Sequence, residues 1–223
     1  VAGDLLLDLG YHDLNMGRIA DAMEVSRGTI YACFKSKEEL LLAMAIKYLE
    51  IRLRLMERAT TFSARPRERM LAVGEAAEPF TRLYPREMRI IELVRTRGAK
   101  ERASFERQLE LQKCEYHAAG ILLGIVRDAI ACGDLSLPRG TSAETLVFGF
   151  LAITGGAYAS VIGALTLPDM GVKDVFTSVR ENCILLADGY GWHPLSEEWD
   201  YDGLIRRIRE DLFREEWQVV KGS

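Results

Sequence analysis

This sequence predicts an all-α fold, and three observations carry the prediction. Apolar residues recur with a 3.6-residue period along almost the whole chain, no stretch alternates apolar with polar residues, and the six prolines never form a run. Of the 223 residues, 48% are hydrophobic and 28% charged, an ordinary globular balance that excludes a disordered or fibrous chain. A chain of this length buries enough apolar surface to hold a core without disulfide or metal. Cys33, Cys114, Cys132 and Cys183 form no CxxC pair, and the first residues show no signal-peptide pattern. Reduced thiols in a cytoplasmic protein are therefore expected. The net charge of −4 means that any nucleic acid must be met by a local patch.

The elements follow in order. Asn15 is suited to cap a short helix over 16–23, with Ile19, Ala20 and Met23 as its apolar face. Glu24 and Val25 leave a tight connection before Ser26, a second cap, and a helix over 27–33 follows with Ile30 and Phe34 inward. Two helices of two turns each cannot bury themselves alone. Their size and spacing predict a helix-turn-helix whose second helix is offered to a DNA major groove. Ser36 to Glu39 reads as a capping box, the serine oxygen accepting the Glu39 amide and the Glu39 carboxylate reaching back to the serine amide. It opens a helix over 37–59 with Leu40, Met44, Tyr48, Ile51 and Leu55 on one stripe.

Pro66 suits the first turn of a helix carrying Met70, Val73, Ala77, Phe80 and Tyr84, and Pro85 starts another through Met88, Ile91 and Val94 that Gly98 ends. A longer helix is expected over about 101–132, stopped by Gly133-Asp134. Thr141 to Glu144 reads as a second capping box, opening a helix to about Leu167; a turn at 168–171 and a helix over 172–187 follow. Residues 189–194 read as irregular, and a last amphipathic helix uses Leu204, Ile208 and Leu212.

The run Asn15-Met16-Gly17-Arg18-Ile19-Ala20-Asp21-Ala22-Met23-Glu24-Val25-Ser26-Arg27-Gly28-Thr29-Ile30-Tyr31, followed by Phe34-Lys35-Ser36-Lys37-Glu38-Glu39-Leu40, resembles the DNA-binding domain of TetR-type transcriptional repressors. The resemblance covers about 10–45 and implies two domains, a helix-turn-helix head over 1–47 and a helical ligand-binding and dimerisation domain over 48–223. It implies that Ser26, Arg27, Gly28 and Thr29 meet base edges, that Tyr31 and Lys37 contact phosphate, and that Asn15 offers its amide to another phosphate. Ile19, Val25, Ile30, Phe34 and Leu40 would form the head's core. It also implies a homodimer made through 141–167 and 172–187, a double-stranded DNA operator as partner, and a small-molecule effector. The effector would be held among Phe80, Tyr84, Met88, Ile91, Tyr116, His117, Phe148, Leu151 and Tyr158, a set equally consistent with plain core.

Three departures from the family pattern matter. Glu24 stands where the family usually has glycine in the turn, at a cost of about 1 kcal/mol if the backbone needs positive φ. Ala32-Cys33 replaces an aromatic or histidine that commonly reaches phosphate. Residues 1–9 are too short for a whole first helix, so its start and any basic arm are expected upstream. Between Asn15 and Lys37 four basic residues face two acidic ones, so counterion-driven affinity is expected to be modest.

From Leu146 to Leu167 there is no charged residue, enough by length for a membrane span. Small residues every four positions (Ala152, Gly156, Ser160, Ala164) and the acidic flanks Glu144 and Asp169 favour instead a buried helix at a subunit interface, with no membrane partner. Glu110, Cys114 and His117 share adjacent turns, as a partial metal site or sensing thiol would, or as the polar shoulder of a half-buried helix would. One helix supplies too few ligands, so neither a metal nor a cofactor is expected. The histidines at 12, 117 and 193 lie in separate segments without a nucleophile elbow or paired carboxylates, so no enzyme is expected. A competing reading is a helical ligand-binding or interaction module with a vestigial DNA-binding head.

Overall fold

The computed structural model describes residues 1–95, 97–162 and 167–222. All regular structure among them is helical. In chain order the helices are α1 (Ala2–Asp13), α2 (Met16–Ala22), α3 (Arg27–Cys33), α4 (Lys37–Thr60), α5 (Pro66–Glu75), α6 (Ala77–Leu83) and α7 (Pro85–Arg95). They continue with α8 (Arg97–Lys100), α9 (Phe105–Ala131), α10 (Ala143–Ile162), α11 (Val175–Gly189), α12 (Tyr201–Asp211) and α13 (Arg214–Gly222). The chain divides into two compact units, one of residues 1–51 with 84–116, the other of 52–83 with 117–223. The expected boundary lies after 47; residues 84–116, expected in the larger domain, group with 1–51.

In the first unit α1 runs to Asp13, crossing Gly10, whose φ of 78° breaks the helical path. Ile19, Ala20, Ile30 and Leu40 are buried as expected, and Leu41 and Ala45 are buried beside them; Met23, expected on the apolar face of α2, is 45% exposed, and Met44, Tyr48 and Ile51 of the expected α4 stripe are only half-buried. Val25 departs from the expected core: it is 36% exposed, its amide closing the turn onto the Ala20 carbonyl while its side chain stays on the outer surface. The Ser36 cap is half a capping box. Ser36 Oγ accepts from the Glu39 amide at 3.2 Å, but the Glu39 carboxylate accepts from the Ser104 amide instead of reaching back. The amide of Ser104 just ahead of α9 competes for that carboxylate, and no local pattern in 36–39 could announce it.

In the second unit one expected helix is two, α5 and α6, separated at Ala76. Arg65 ahead of Pro66 donates its amide to Glu68 Oε2 at 3.0 Å, which fixes the start of α5. Gly133, at φ 83°, stops α9 where expected. The cap of α10 is Ser142 rather than Thr141, its Oγ accepting from the Thr145 amide at 3.2 Å and lying 3.2 Å from the Thr145 hydroxyl, a single cap in place of the expected box. Asp174 caps α11 through the Thr177 amide at 3.1 Å and starts it later than expected. Residues 163–166, where the expected end of α10 falls, lie outside the described residues. The amphipathic C-terminus is two helices, α12 and α13. Trp192, Phe80, Phe213 and Leu146 are fully buried in this unit.

Candidate functional site

From Asp21 to Cys33 every side chain but Ile30 is exposed. That single anchor holds α3 from behind and leaves Arg27, Gly28, Thr29 and Tyr31 free on its outer side. Ser26 caps α3: its Oγ accepts from the Thr29 amide at 3.0 Å and lies 2.9 Å from the Thr29 hydroxyl. Two hydroxyls are thereby fixed at the start of the presented helix. Gly28 has open space around it apart from an ordinary contact with Ser26 Oγ. At Gly17 a Cβ would stand 3.1 Å from Arg27 Nη2, a close contact that the flexible end of the Arg27 side chain can relieve.

Glu24 holds φ at 55°, the left-handed turn conformation that glycine adopts without cost. The strain expected of a side chain at this position is present. Asn15 caps α2, its Oδ1 accepting from the Arg18 amide at 3.0 Å, which leaves its side-chain amide as the donor. Lys37 is committed locally: Nζ donates to the Tyr11 carbonyl at 2.6 Å and the Leu14 carbonyl at 2.9 Å, and lies 4.3 Å from the Tyr11 ring centre. A cation in the first turn of α4 opposes that helix's dipole, and the carbonyls at the end of α1 offset it. Two of its three N–H bonds are used before any phosphate arrives. The Tyr11 hydroxyl donates to buried Glu38 at 2.8 Å. Burial would raise the Glu38 carboxyl, but that bond and a backbone amide hold it below its ordinary value.

The second unit contains a cavity of about 140 Å³. Its wall is mostly apolar, with Met56, Met70, Leu122, Phe150, Val179 and Trp192 among the lining side chains, and it is crossed by a few charged groups. Glu75 and Glu78, both buried, face Arg180 and Arg209. Arg180 pairs with Glu75 and, at 3.2 Å, with Glu78, while Arg209 reaches each carboxylate at 2.8 Å. Arg82 adds a contact to Glu78 at 2.8 Å. Arg67, almost fully buried, pairs with Asp188 at 2.7 Å and donates to the Ile184 and Trp192 carbonyls. Burial pushes the Cys183 thiol up to about 11, so this wall thiol is protonated at neutral pH.

Of the residues expected around an effector, Leu151 and Tyr158 line the cavity. Phe80 is buried core of the same unit, and Phe148, 70% exposed, lies on the outer side of α10. His117 sits beside Glu57 at 3.1 Å on the surface. Tyr84, Met88, Ile91 and Tyr116 belong to the first unit, where Met88 and Ile91 are buried and Tyr116 is exposed. Glu110 is paired with Arg107 at 2.7 Å, and burial together with the nearby carboxylates of Glu50, Glu110 and Glu115 raises the Cys114 thiol. Arg67, Glu75, Glu78 and Arg180 were missed. The available signal was their phase: Arg67, Glu75 and Glu78 fall on the stripe that also carries Leu71, where a solvent-facing charge does not belong.

Residues 1–44 match the family model described as bacterial regulatory proteins, tetR family. The structure of a TetR family transcriptional regulator, PfmR from Thermus thermophilus, superposes with a TM-score of 0.64 at 19% identity, covering 83% of this chain and 93% of that one. A bacterial regulatory protein in the tetR family from Rhodococcus RHA1 gives 0.66 at 18% identity, with 86% and 93% covered. The transcriptional regulator FadR from Bacillus subtilis, solved in complex with stearoyl-CoA, gives 0.62 at 19% identity, with 84% and 95% covered. At these identities the likeness is one of fold.

Proposed function

We propose, from the premise that residues 1–44 belong to the tetR family of bacterial regulatory proteins and that the chain carries the fold of solved TetR regulators, that this protein is a ligand-responsive transcriptional repressor. The observation that carries the reading is the run 21–33, exposed everywhere except Ile30. Arg27 forks onto a guanine edge, Thr29 meets a neighbouring base, and Tyr31 and Asn15 fix the head on phosphates. Lys37 contributes chiefly by holding α1 against α4. A palindromic operator needs two such heads about 34–36 Å apart, which calls for a homodimer, and the outward sides of α10 and α11 supply its surface. Phe148 on α10 and Leu185 on α11, neither of them in the cavity lining, are exposed there. That α10 is also long and apolar enough to cross a membrane fits the same surface, because an interface helix shows the same composition.

The effector occupies the cavity of the second unit, and release from the operator follows from linkage: a ligand favouring the non-binding arrangement weakens DNA binding, and DNA weakens ligand binding by the same factor. The protein acts as a cytoplasmic regulator rather than an enzyme. A gel shift against the DNA flanking its own gene tests the DNA half. Arg27→Ala is expected to weaken binding by about 1–3 kcal/mol, and with Tyr31→Ala to abolish the footprint. An unchanged footprint in the double variant would overturn the reading.

A further inference from the structure

We infer that the cavity's occupant is an amphiphilic monoanion, a hydrocarbon body ending in one carboxylate, with Arg52 and Tyr158 as the residues that receive its charge. The inference rests on the regulator reading only for the word effector; the binding chemistry stands on the cavity itself. The wall is apolar apart from its charged side chains, and those can be paired off. Arg67 is neutralised by Asp188 at 2.7 Å. Arg180 is neutralised by Glu75 and Glu78, which Arg209 and Arg82 complete from behind. Asp174, 3.8 Å from Arg82, closes a set of three carboxylates against three guanidiniums.

Arg52 remains. It lines the same cavity and is half-buried, and among the described residues no carboxylate lies within ion-pair distance of it. The guanidinium carbon instead faces an aromatic ring, 5.6 Å from the Tyr158 ring centre. Tyr158 is itself buried and lines the cavity, and its hydroxyl has no hydrogen-bond partner among the described residues. An apolar chamber therefore carries one surplus positive charge beside one idle phenol. A guanidinium that meets only a ring face has its N–H fork uncommitted, and a carboxylate can accept from that fork in two parallel bonds. The phenol O–H supplies a further donor to the same anion. In a site walled mostly by hydrocarbon such a charge-assisted pair is worth far more than in water, whereas a cationic ligand would meet like charge.

The test is calorimetric titration of the full chain with three probes of equal chain length: decanoate, 1-decanol and decylamine, at neutral pH. Decanoate is expected to bind about tenfold or more tightly than 1-decanol, and decylamine more weakly than either. Arg52→Gln is expected to bring decanoate to the level of 1-decanol and to leave 1-decanol binding in place; Arg52→Lys retains part of the preference. Tyr158→Phe lowers decanoate binding and spares 1-decanol. Val179→Trp, which fills the chamber, lowers all three. A preference for 1-decanol or decylamine, a decanoate preference that survives Arg52→Gln, or no binding of any probe would overturn the inference. Operator release is read separately by gel shift. Decanoate binding without a DNA complex would sink the regulator reading alone, and a DNA complex without decanoate binding would sink this inference alone.

Discussion

Glu24 is the clearest case of a residue working against its own backbone. At φ 55° it pays the steric cost that an L side chain meets in the left-handed region, and its exposed carboxylate sits in the run presented to DNA. Glu24→Gly is therefore expected to raise stability by about 0.5–1 kcal/mol, after allowance for the greater freedom of glycine in the unfolded chain, and to tighten operator binding. Chemical denaturation and a gel shift read the two effects. Lys37 is the opposite case, a residue whose family role suggests phosphate but whose ammonium is held by Tyr11 and Leu14. Lys37→Met is expected to destabilise the DNA-free protein by about 1–3 kcal/mol, since bonds to a charged donor are lost and two carbonyls are orphaned. A lysine waiting for phosphate would show no change in DNA-free melting.

At the scale of elements, what the sequence disclosed depended on how local the determinants were. The α2–turn–α3 unit was legible because Asn15, Ser26 and Ile30 act within one turn of themselves. Two caps were misread, that of α10 because a second candidate stood beside it and that at Ser36 because Ser104, 65 residues away, takes the Glu39 carboxylate. Thr141 and Ser142 both suit a cap, and only the backbone path distinguishes them. Ser142→Ala is accordingly expected to cost about 1 kcal/mol by loss of the α10 cap, and Thr141→Ala close to nothing. Thermal melting of both variants checks the assignment. The break at Ala76 and the buried Glu75 and Glu78 were not legible at all. Their partners Arg180 and Arg209 arrive from more than a hundred residues away, and no window on α5 contains them.

At the scale of the molecule, the outward sides of α10 and α11 present Phe148 and Leu185, 70% and 64% exposed, an arrangement that a lone subunit has no reason to maintain. Phe148→Asp is expected to convert the proposed dimer to monomers at micromolar concentration, seen by sedimentation velocity, and to abolish cooperative operator binding while leaving helicity intact. A strictly monomeric parent protein would contradict the assembly. The cavity shows how function at this scale escapes sequence reading: Leu151 and Tyr158 were expected from the family resemblance, whereas nothing local in α4 singles out Arg52 as a lining residue. One further consequence follows from the cluster of Glu75, Glu78 and Asp174 with Arg82, Arg180 and Arg209. Glu75 and Glu78, both buried, cannot lose their guanidinium partners without stranding an ion in hydrocarbon. Across related proteins these six positions should therefore drift in matched pairs, so that a relative lacking Arg180 has also surrendered Glu75, and the record of their joint substitution would trace this knot of charge through evolution.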